Sequence, residues 1–248
     1  MSQFPSSEWM KLYEEKQPYL KAYSDFNAYF SADQILGMKM HHLNMGKVKF
    51  PTGEIFVCDP LVYLDPEEEP YFVRVPKGEF PIETLVIEIE EGQYSFVAVR
   101  IKFTEEEATQ HIEALKGTEQ LEELGEDEYF GFHAESGLAT VVDVATREAF
   151  CAFVNRWEYE NSEDKNLYDD YLADEFAKSY QNNPEFQRES GDWINFQIPG
   201  SDLSLPMIQT GFGQGTYPVY FGYDQNGKVC ELVIQFIDIE LAFSEAVK

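Results

Sequence analysis

The chain has 248 residues, 44% of them hydrophobic and 15% aromatic, enough apolar surface to offset the entropy of ordering and to exclude wholesale disorder. Its 18 Lys and Arg stand against 46 Asp and Glu, a formal net charge of −28, and a field of that sign repels nucleic-acid phosphates and anionic lipid head groups while speeding encounter with basic partners. No apolar stretch exceeds strand length, so no transmembrane helix is expected, and Met1 to Ser7 leading into Glu8, Lys11, Glu14 and Glu15 lacks the basic start and apolar stretch of a secretory signal.

Cys58, Cys151 and Cys230 are widely separated and sit in apolar or strand-like surroundings. That fits reduced thiols better than disulfides or a metal site, and a cytoplasmic location is expected. Sheet-rich domains reach roughly 200–250 residues around one core, so residues 1–248 are read as one domain.

Residues 6–30 read as helical, with Ser6 or Ser7 as cap, aromatic residues from Trp9 to Phe26, and an interruption at Pro18. Strand character follows from Met38 to Phe50, then the turn Pro51-Thr52-Gly53 and a second strand Glu54 to Cys58, a hairpin candidate. After an acidic, proline-bounded loop and a short strand at Tyr71 to Val75, period-two alternation marks a hairpin turning at Glu91-Gly92. A two-residue loop there sets Ile89 against Tyr94, Ile87 against Phe96 and Glu83 against Arg100.

Thr104 with Glu107 three residues on reads as a capping box, and Ala108, Ile112 and Leu115 as the inner face of a helix ending at Gly117. An acidic connection to Glu128 leads to strands at Tyr129 to Ala134 and Leu138 to Val142. A helix follows with the stripe Ala149, Phe150, Phe153, Val154 and Trp157, and then an acidic surface helix with Tyr168, Leu172, Phe176 and Tyr180 every fourth residue. The last third reads as strands at Trp193 to Ile198, Pro206 to Thr210, Tyr217 to Tyr223 and Lys228 to Ile237. Asn226-Gly227 sets Tyr223 against Cys230, Phe221 against Leu232, Val219 against Ile234 and Tyr217 against Phe236. Helices and strands do not alternate, so the expected class is α+β, a mainly antiparallel sheet with several peripheral helices.

Few residues carry visible chemistry. Gly211-Phe212-Gly213-Gln214-Gly215 invites comparison with phosphate-binding loops, but strand follows where such a loop needs a helix N-terminus. The loop is read instead as a glycine-dependent turn lining a cleft, with Gly213, Gln214, Gly215 and Tyr217 as candidate binding residues. His41 and His42 point to opposite faces of a strand and cannot chelate one ion together. His133 and Glu135 share a strand face, and Asp143 could approach from the next strand, a trio with the chemistry of a metal site or an acid/base pair but a commonplace spacing. Asp59 ends a strand as a turn former whose carboxylate is a further candidate, and Arg100 is one of few bases, with Glu83 as its cross-strand partner. There is no Ser/His/Asp signature, HExxH or CxxC spacing, or aromatic-plus-basic nucleic-acid surface, and no cofactor or metal is assigned.

The run from Gly211 to Gly227, Gly-Phe-Gly-Gln-Gly-Thr-Tyr-Pro-Val-Tyr-Phe-Gly-Tyr-Asp-Gln-Asn-Gly, with the apolar strand to Phe236, resembles the end of a bacterial family known as domain of unknown function 4241. Asp59-Pro60, Pro76 to Pro81, Val97 to Ile101 and Gly137 to Asp143 are similar to that family's landmarks in the same order. The chain departs from the pattern at Gln214 and His133, where the family carries acids. The resemblance implies a compact domain of unassigned function and supplies no catalytic residue to transfer.

Two functional expectations follow. The first is a non-enzymatic binding protein that engages a basic protein partner through its acidic surface, as immunity proteins do when they neutralise toxins. The alternative is a hydrolase or small-ligand enzyme with a polar cleft near the Gly211-Gly215 loop, which requires Asp59, Arg100, His133, Glu135 and Asp143 to converge. Neither nucleic acid nor membrane is expected as a partner, and oligomeric state is left open.

Overall fold

Strands dominate where β-branched and aromatic residues alternate, and helices are confined to the periphery. In the computed structural model, which describes residues 5–125 and 128–244, the elements in chain order are α1 (Ser7–Lys16), α2 (Phe26–Tyr29), β1 (Gln34–Ile35), β2 (Met38–Phe50), β3 (Ile55–Cys58), β4 (Gly78–Glu90), β5 (Gln93–Lys102), β6 (Gln110–Glu113), β7 (Phe132–Ala134), β8 (Leu138–Asp143), α3 (Val144–Glu160), α4 (Ala173–Asn182), β9 (Trp193–Gln197), β10 (Ser204–Gln209), β11 (Gly215–Tyr217), β12 (Val219–Tyr223), β13 (Val229–Gln235) and α5 (Ile239–Phe243). A seven-stranded sheet runs β1-β2-β4-β5-β13-β12-β6, a four-stranded sheet β3-β8-β10-β9, and β11 pairs with β7. The pairings are antiparallel throughout, so the α+β class expected from the sequence is the class observed. No helix among the described residues is long and apolar enough to cross a membrane.

The large sheet is covered on both faces. Ile82, Val99 and Ile234 on its inner face meet Ala139, Val141 and Ile208 of the four-stranded sheet. On the outer face one cross-strand row runs Glu83, Arg100, Val233, Tyr220, Glu113. That row is roofed by the α2 segment: the Phe26 ring lies 5.6 Å from Tyr220 and 5.0 Å from His111, and the Arg100 guanidinium sits 4.0 Å from the centre of the Phe30 ring. A cation over an aromatic face is favourable by roughly 0.5–1 kcal/mol, more when desolvated.

A hairpin forms at Asn226-Gly227, but its loop is three residues, 225–227, rather than two: the Asp224 amide donates to the Lys228 carbonyl, the Asp224 carboxylate accepts from the Asn226 and Lys228 amides, and Gly227 has φ +72°. Val219 faces Ile234 and Phe221 faces Leu232, but a bulge after Gly222 puts Tyr223 against Val229 instead of Cys230. Tyr217 leaves this ladder altogether. Pro218 interrupts the strand, and Tyr217 pairs with Phe132 while its ring stands edge-on to Phe236 at 5.6 Å. In the β4–β5 hairpin Glu83 faces Arg100 as expected, whereas Ser95 faces Ile87, Phe96 faces Val86 and Tyr94 faces Glu88. Two bulges, one on each strand, shift the register and then restore it.

Two expectations are corrected. The segment 104–117 is not a helix: the Thr104 hydroxyl accepts from the Glu106 amide rather than from residue 107, and Gln110–Glu113 is strand β6 against β12. The β12 edge would otherwise lie open, and pairing it outweighs a helix signal of a few tenths of a kcal/mol per residue. The proposed hairpin of β2 with β3 does not form either. β2 pairs with β4, and β3 crosses to β8 in the other sheet.

The turn between β2 and β3 is pinned by Asp143, which is fully buried. Its carboxylate accepts from the Thr52 amide, the Thr52 hydroxyl and the Gly53 amide, each at 3.0 Å, and caps α3 through the Ala145 amide at 2.9 Å. Asp143→Ala removes a helix cap, typically about 1 kcal/mol, and leaves buried amides unmatched at roughly 1–3 kcal/mol each. Urea unfolding should show a loss on the order of 3 kcal/mol with an unchanged m-value, and a loss under 1 kcal/mol would refute this role.

Candidate functional site

Seven of the candidate residues meet in one loop cluster. Asp59, directly after β3 and fully buried, accepts from the Glu135 amide (2.9 Å) and the Ser136 amide (2.6 Å) on one oxygen, and from the Ser136 hydroxyl (2.7 Å) and the Leu61 amide (2.9 Å) on the other. It thereby fixes the β7–β8 turn. Gln214 donates its amide to the Glu135 carbonyl at 2.7 Å, and Tyr63 donates to the Glu135 carboxylate at 3.1 Å. Gly215 pairs with Ala134, His133 Nδ1 lies 3.3 Å from the Thr216 hydroxyl, and Tyr217 donates to the Gly213 carbonyl at 2.8 Å. These groups are occupied with one another. A carboxylic acid in place of Gln214 would face a carbonyl oxygen unless it carried a proton, so this contact suits the amide.

The other two candidates lie elsewhere. Asp143 sits at the opposite end of β3, beside Ile55, and four residues at strand rise put about 13 Å between the two aspartates. Arg100 belongs to the large sheet, where its Nη2 (2.6 Å) and Nε (3.1 Å) donate to Glu83, whose other oxygen is 2.9 Å from His42 Nδ1. The polar set required for an enzyme at Asp59, Arg100, His133, Glu135 and Asp143 therefore does not converge. Among the described residues no group of three or more His, Cys, Asp or Glu side chains is arranged to hold a metal ion.

A cleft of about 950 Å3 opens beside the Gly211–Gly215 loop. Its walls come from the N-terminal segment (Tyr19, Lys21, Tyr23), the connection before β7 (Glu128, Tyr129), the loop itself (Phe212, Gln214, Gly215), Tyr217 and the C-terminal turn (Asp238, Glu240, Leu241). Among the described residues, five of the ten exposed large apolar side chains line it: Tyr19, Tyr23, Tyr129, Phe212 and Leu241. Isolated exposed apolar residues are ordinary, whereas their gathering at one concavity sets this cleft apart from the rest of the described surface.

Glu113 and Tyr220 form the floor. They are cross-strand neighbours of β6 and β12, and only 3% and 7% exposed. Glu113 Oε1 accepts from the Phe130 and Gly131 amides, each at 2.7 Å. Gly131 has φ +57° and a side chain there would strike the Tyr217 carbonyl, so the approach of this amide requires glycine. No donor among the described residues reaches Oε2. Burial pushes the carboxyl up to about 7, against the pull of the two amides and with a further upward push from Glu119. The Tyr220 hydroxyl has no hydrogen-bond partner among the described residues, and burial together with the charge of Glu113 holds its proton well above the usual phenol range.

Sequence reasoning missed this floor because it placed residue 113 on a helix, outside the inner face formed by Ala108, Ile112 and Leu115. The available signal was the alternation of His111, Ile112 and Glu113, which suits a short strand as well as a helix turn.

The family model described as Protein of unknown function (DUF4241) matches residues 48–234. No curated protein and no solved structure matches the chain. The floor residues Glu113 and Tyr220 fall inside the matched span, and Tyr19, Tyr23 and Leu241 fall outside it.

The raised carboxyl has a calculable effect on stability. Between pH about 4.5 and 7 the folded state retains a proton that the unfolded chain has released, so stability falls across that window by about 3 kcal/mol and is level above it. Glu113→Gln keeps an oxygen for the two amides and removes the titration. It should be more stable than the parent at pH 8, with the gap closing towards pH 5, as read from urea midpoints; a gap independent of pH would refute the assignment.

Proposed function

The chain belongs to the DUF4241 family, whose description assigns no activity, and from the geometry of the cleft we propose that it is a non-enzymatic binding protein that docks a basic protein partner there. One observation carries this reading: exposed aromatic and aliphatic side chains converge on a cleft whose lining holds four acids, Glu113, Glu128, Asp238 and Glu240, and one base, Lys21. Apolar contact supplies affinity at such a surface, and the surrounding carboxylates select cationic partners and raise the rate of encounter. The net charge of −28 acts in the same direction at longer range. This is the charge relation of an immunity-like protein to a basic toxin. The polar constellation that a hydrolase needs is engaged elsewhere in backbone bonds and in the Arg100–Glu83 pair.

Site-specific photo-crosslinking in the native cell tests the docking. A photoreactive phenylalanine analogue in place of Phe212 or Leu241 should give an adduct with a basic protein, and the complex should dissociate near 1 M salt, where the screening length is about 3 Å. Tyr159, 92% exposed on α3 and outside the cleft, is the control position. Adducts at 212 and 241 no stronger than at 159 would overturn the reading.

A further inference from the structure

The floor of the cleft is chemically distinct from its rim. Glu113 offers Oε2 with no donor among the described residues, both amides binding Oε1. Tyr220, more than nine-tenths buried, offers a hydroxyl with no partner among the described residues. Directly paired strand residues hold their Cβ atoms roughly 4.5–5.5 Å apart, so the two groups can meet one ligand atom from neighbouring positions. Lys21 lines the same cleft but forms no ion pair with Glu113 among the described contacts. A buried carboxylate that has, among the described residues, an oxygen without a donor, a hydroxyl without a partner beside it and no counter-ion is a site that lacks a positive charge.

We propose that this floor receives one cationic side chain of the partner protein, an arginine guanidinium or lysine ammonium, held between Glu113 Oε2 and the Tyr220 hydroxyl. The inference rests on the docking reading above and names the anchor that reading leaves open. The methylene stem of such a side chain lies against Tyr129 and Phe212 while its head reaches the carboxylate, the division of labour that long basic side chains adopt. The hydroxyl donates to the carboxylate or accepts from the cation, and no covalent step is involved.

Binding of a cation also displaces a proton. The groups facing Glu113 are Tyr220 from β12, Lys21 from the N-terminal segment, Glu128 and Tyr129 before β7, Glu119 after β6, Tyr71, and His111 on its own strand. The Glu113 carboxyl itself is pushed up to about 7 by burial. Affinity for a cation therefore rises with pH up to about 7, with release of up to one proton, and then levels.

The test uses protein carrying 13C in its glutamate carboxyls, titrated with N-acetyl-arginine amide, the uncharged isostere N-acetyl-citrulline amide, and agmatine as a free amine. The Glu113 signal, identified by its loss in Glu113→Gln, should shift on adding the arginine derivative and its midpoint should move down in pH, while citrulline leaves it in place. Glu113→Gln should weaken binding about tenfold or more and Tyr220→Phe by a smaller factor, as expected for loss of a charged and of a neutral partner. Thermal melts confirm that both variants are folded. Equal binding of citrulline, an unmoved Glu113 signal, or full affinity in Glu113→Gln overturns the proposal, and agmatine binding more than tenfold tighter overturns the assignment to a protein side chain. If the arginine derivative misses Glu113 while the basic partner still crosslinks at 212 and 241, this inference fails and the docking reading stands. If it occupies the floor and no partner crosslinks, the docking reading fails and the chemistry of the floor stands.

Discussion

The pairing of β6 against β12 governs what the rest of the molecule can do. Four residues of edge strand close the large sheet and carry Glu113 to a place from which water is largely excluded. The same outer-face row holds Glu83 and Glu113 in opposite circumstances. Glu83 faces Arg100 directly and His42 from the neighbouring strand, so its charge is matched. Glu113 has two backbone amides on one oxygen and, among the described residues, no ion pair with a cation. An ion in low dielectric without a counter-charge takes up a proton instead, and that is the origin of its shift towards neutrality.

Other buried acids of this chain show the contrasting solution. Asp59 and Asp143 each accept four hydrogen bonds and are as deeply buried as Glu113, yet both have every oxygen matched by turn amides and hydroxyls. They act as clamps. Asp59 holds the β7–β8 turn beside the Gly211–Gly215 loop, and Asp143 holds the crossing from the large sheet to the small one. A mostly antiparallel fold with long loops needs such anchors, because each turn brings unpaired amides into the interior that a carboxylate can satisfy.

The sequence was legible where the signal was local. Asn226-Gly227 and Glu91-Gly92 specify hairpins through residues that tolerate positive φ, and both hairpins form. Arg100 against Glu83 was legible because two bulges cancel before that pair is reached. Non-local choices were hidden. Whether 104–117 becomes helix or strand depends on the vacant edge of β12, more than 100 residues later in the chain, and whether β3 folds back on β2 depends on Asp143. The candidate site shares this limit: glycines near 213 pointed to the right loop, but the two groups that matter most at its floor lie on strands 107 residues apart in sequence, 113 and 220.

The division between floor and rim then acquires a meaning. Glu113 and Tyr220 lie on paired strands at the β6 edge of the large sheet and within the span that the family model matches, 48–234. Tyr19, Tyr23 and Leu241 come from flanking segments outside that span and project into solvent. A strand pair holds two polar atoms at a fixed spacing, as charge recognition requires, whereas exposed rings on peripheral segments can be exchanged without disturbing any sheet. In the proposed docking, the charge of the partner would be read by the rigid part of the fold and its apolar shape by the replaceable part. Affinity and identity of the partner would thus be set by separate elements of the same cleft.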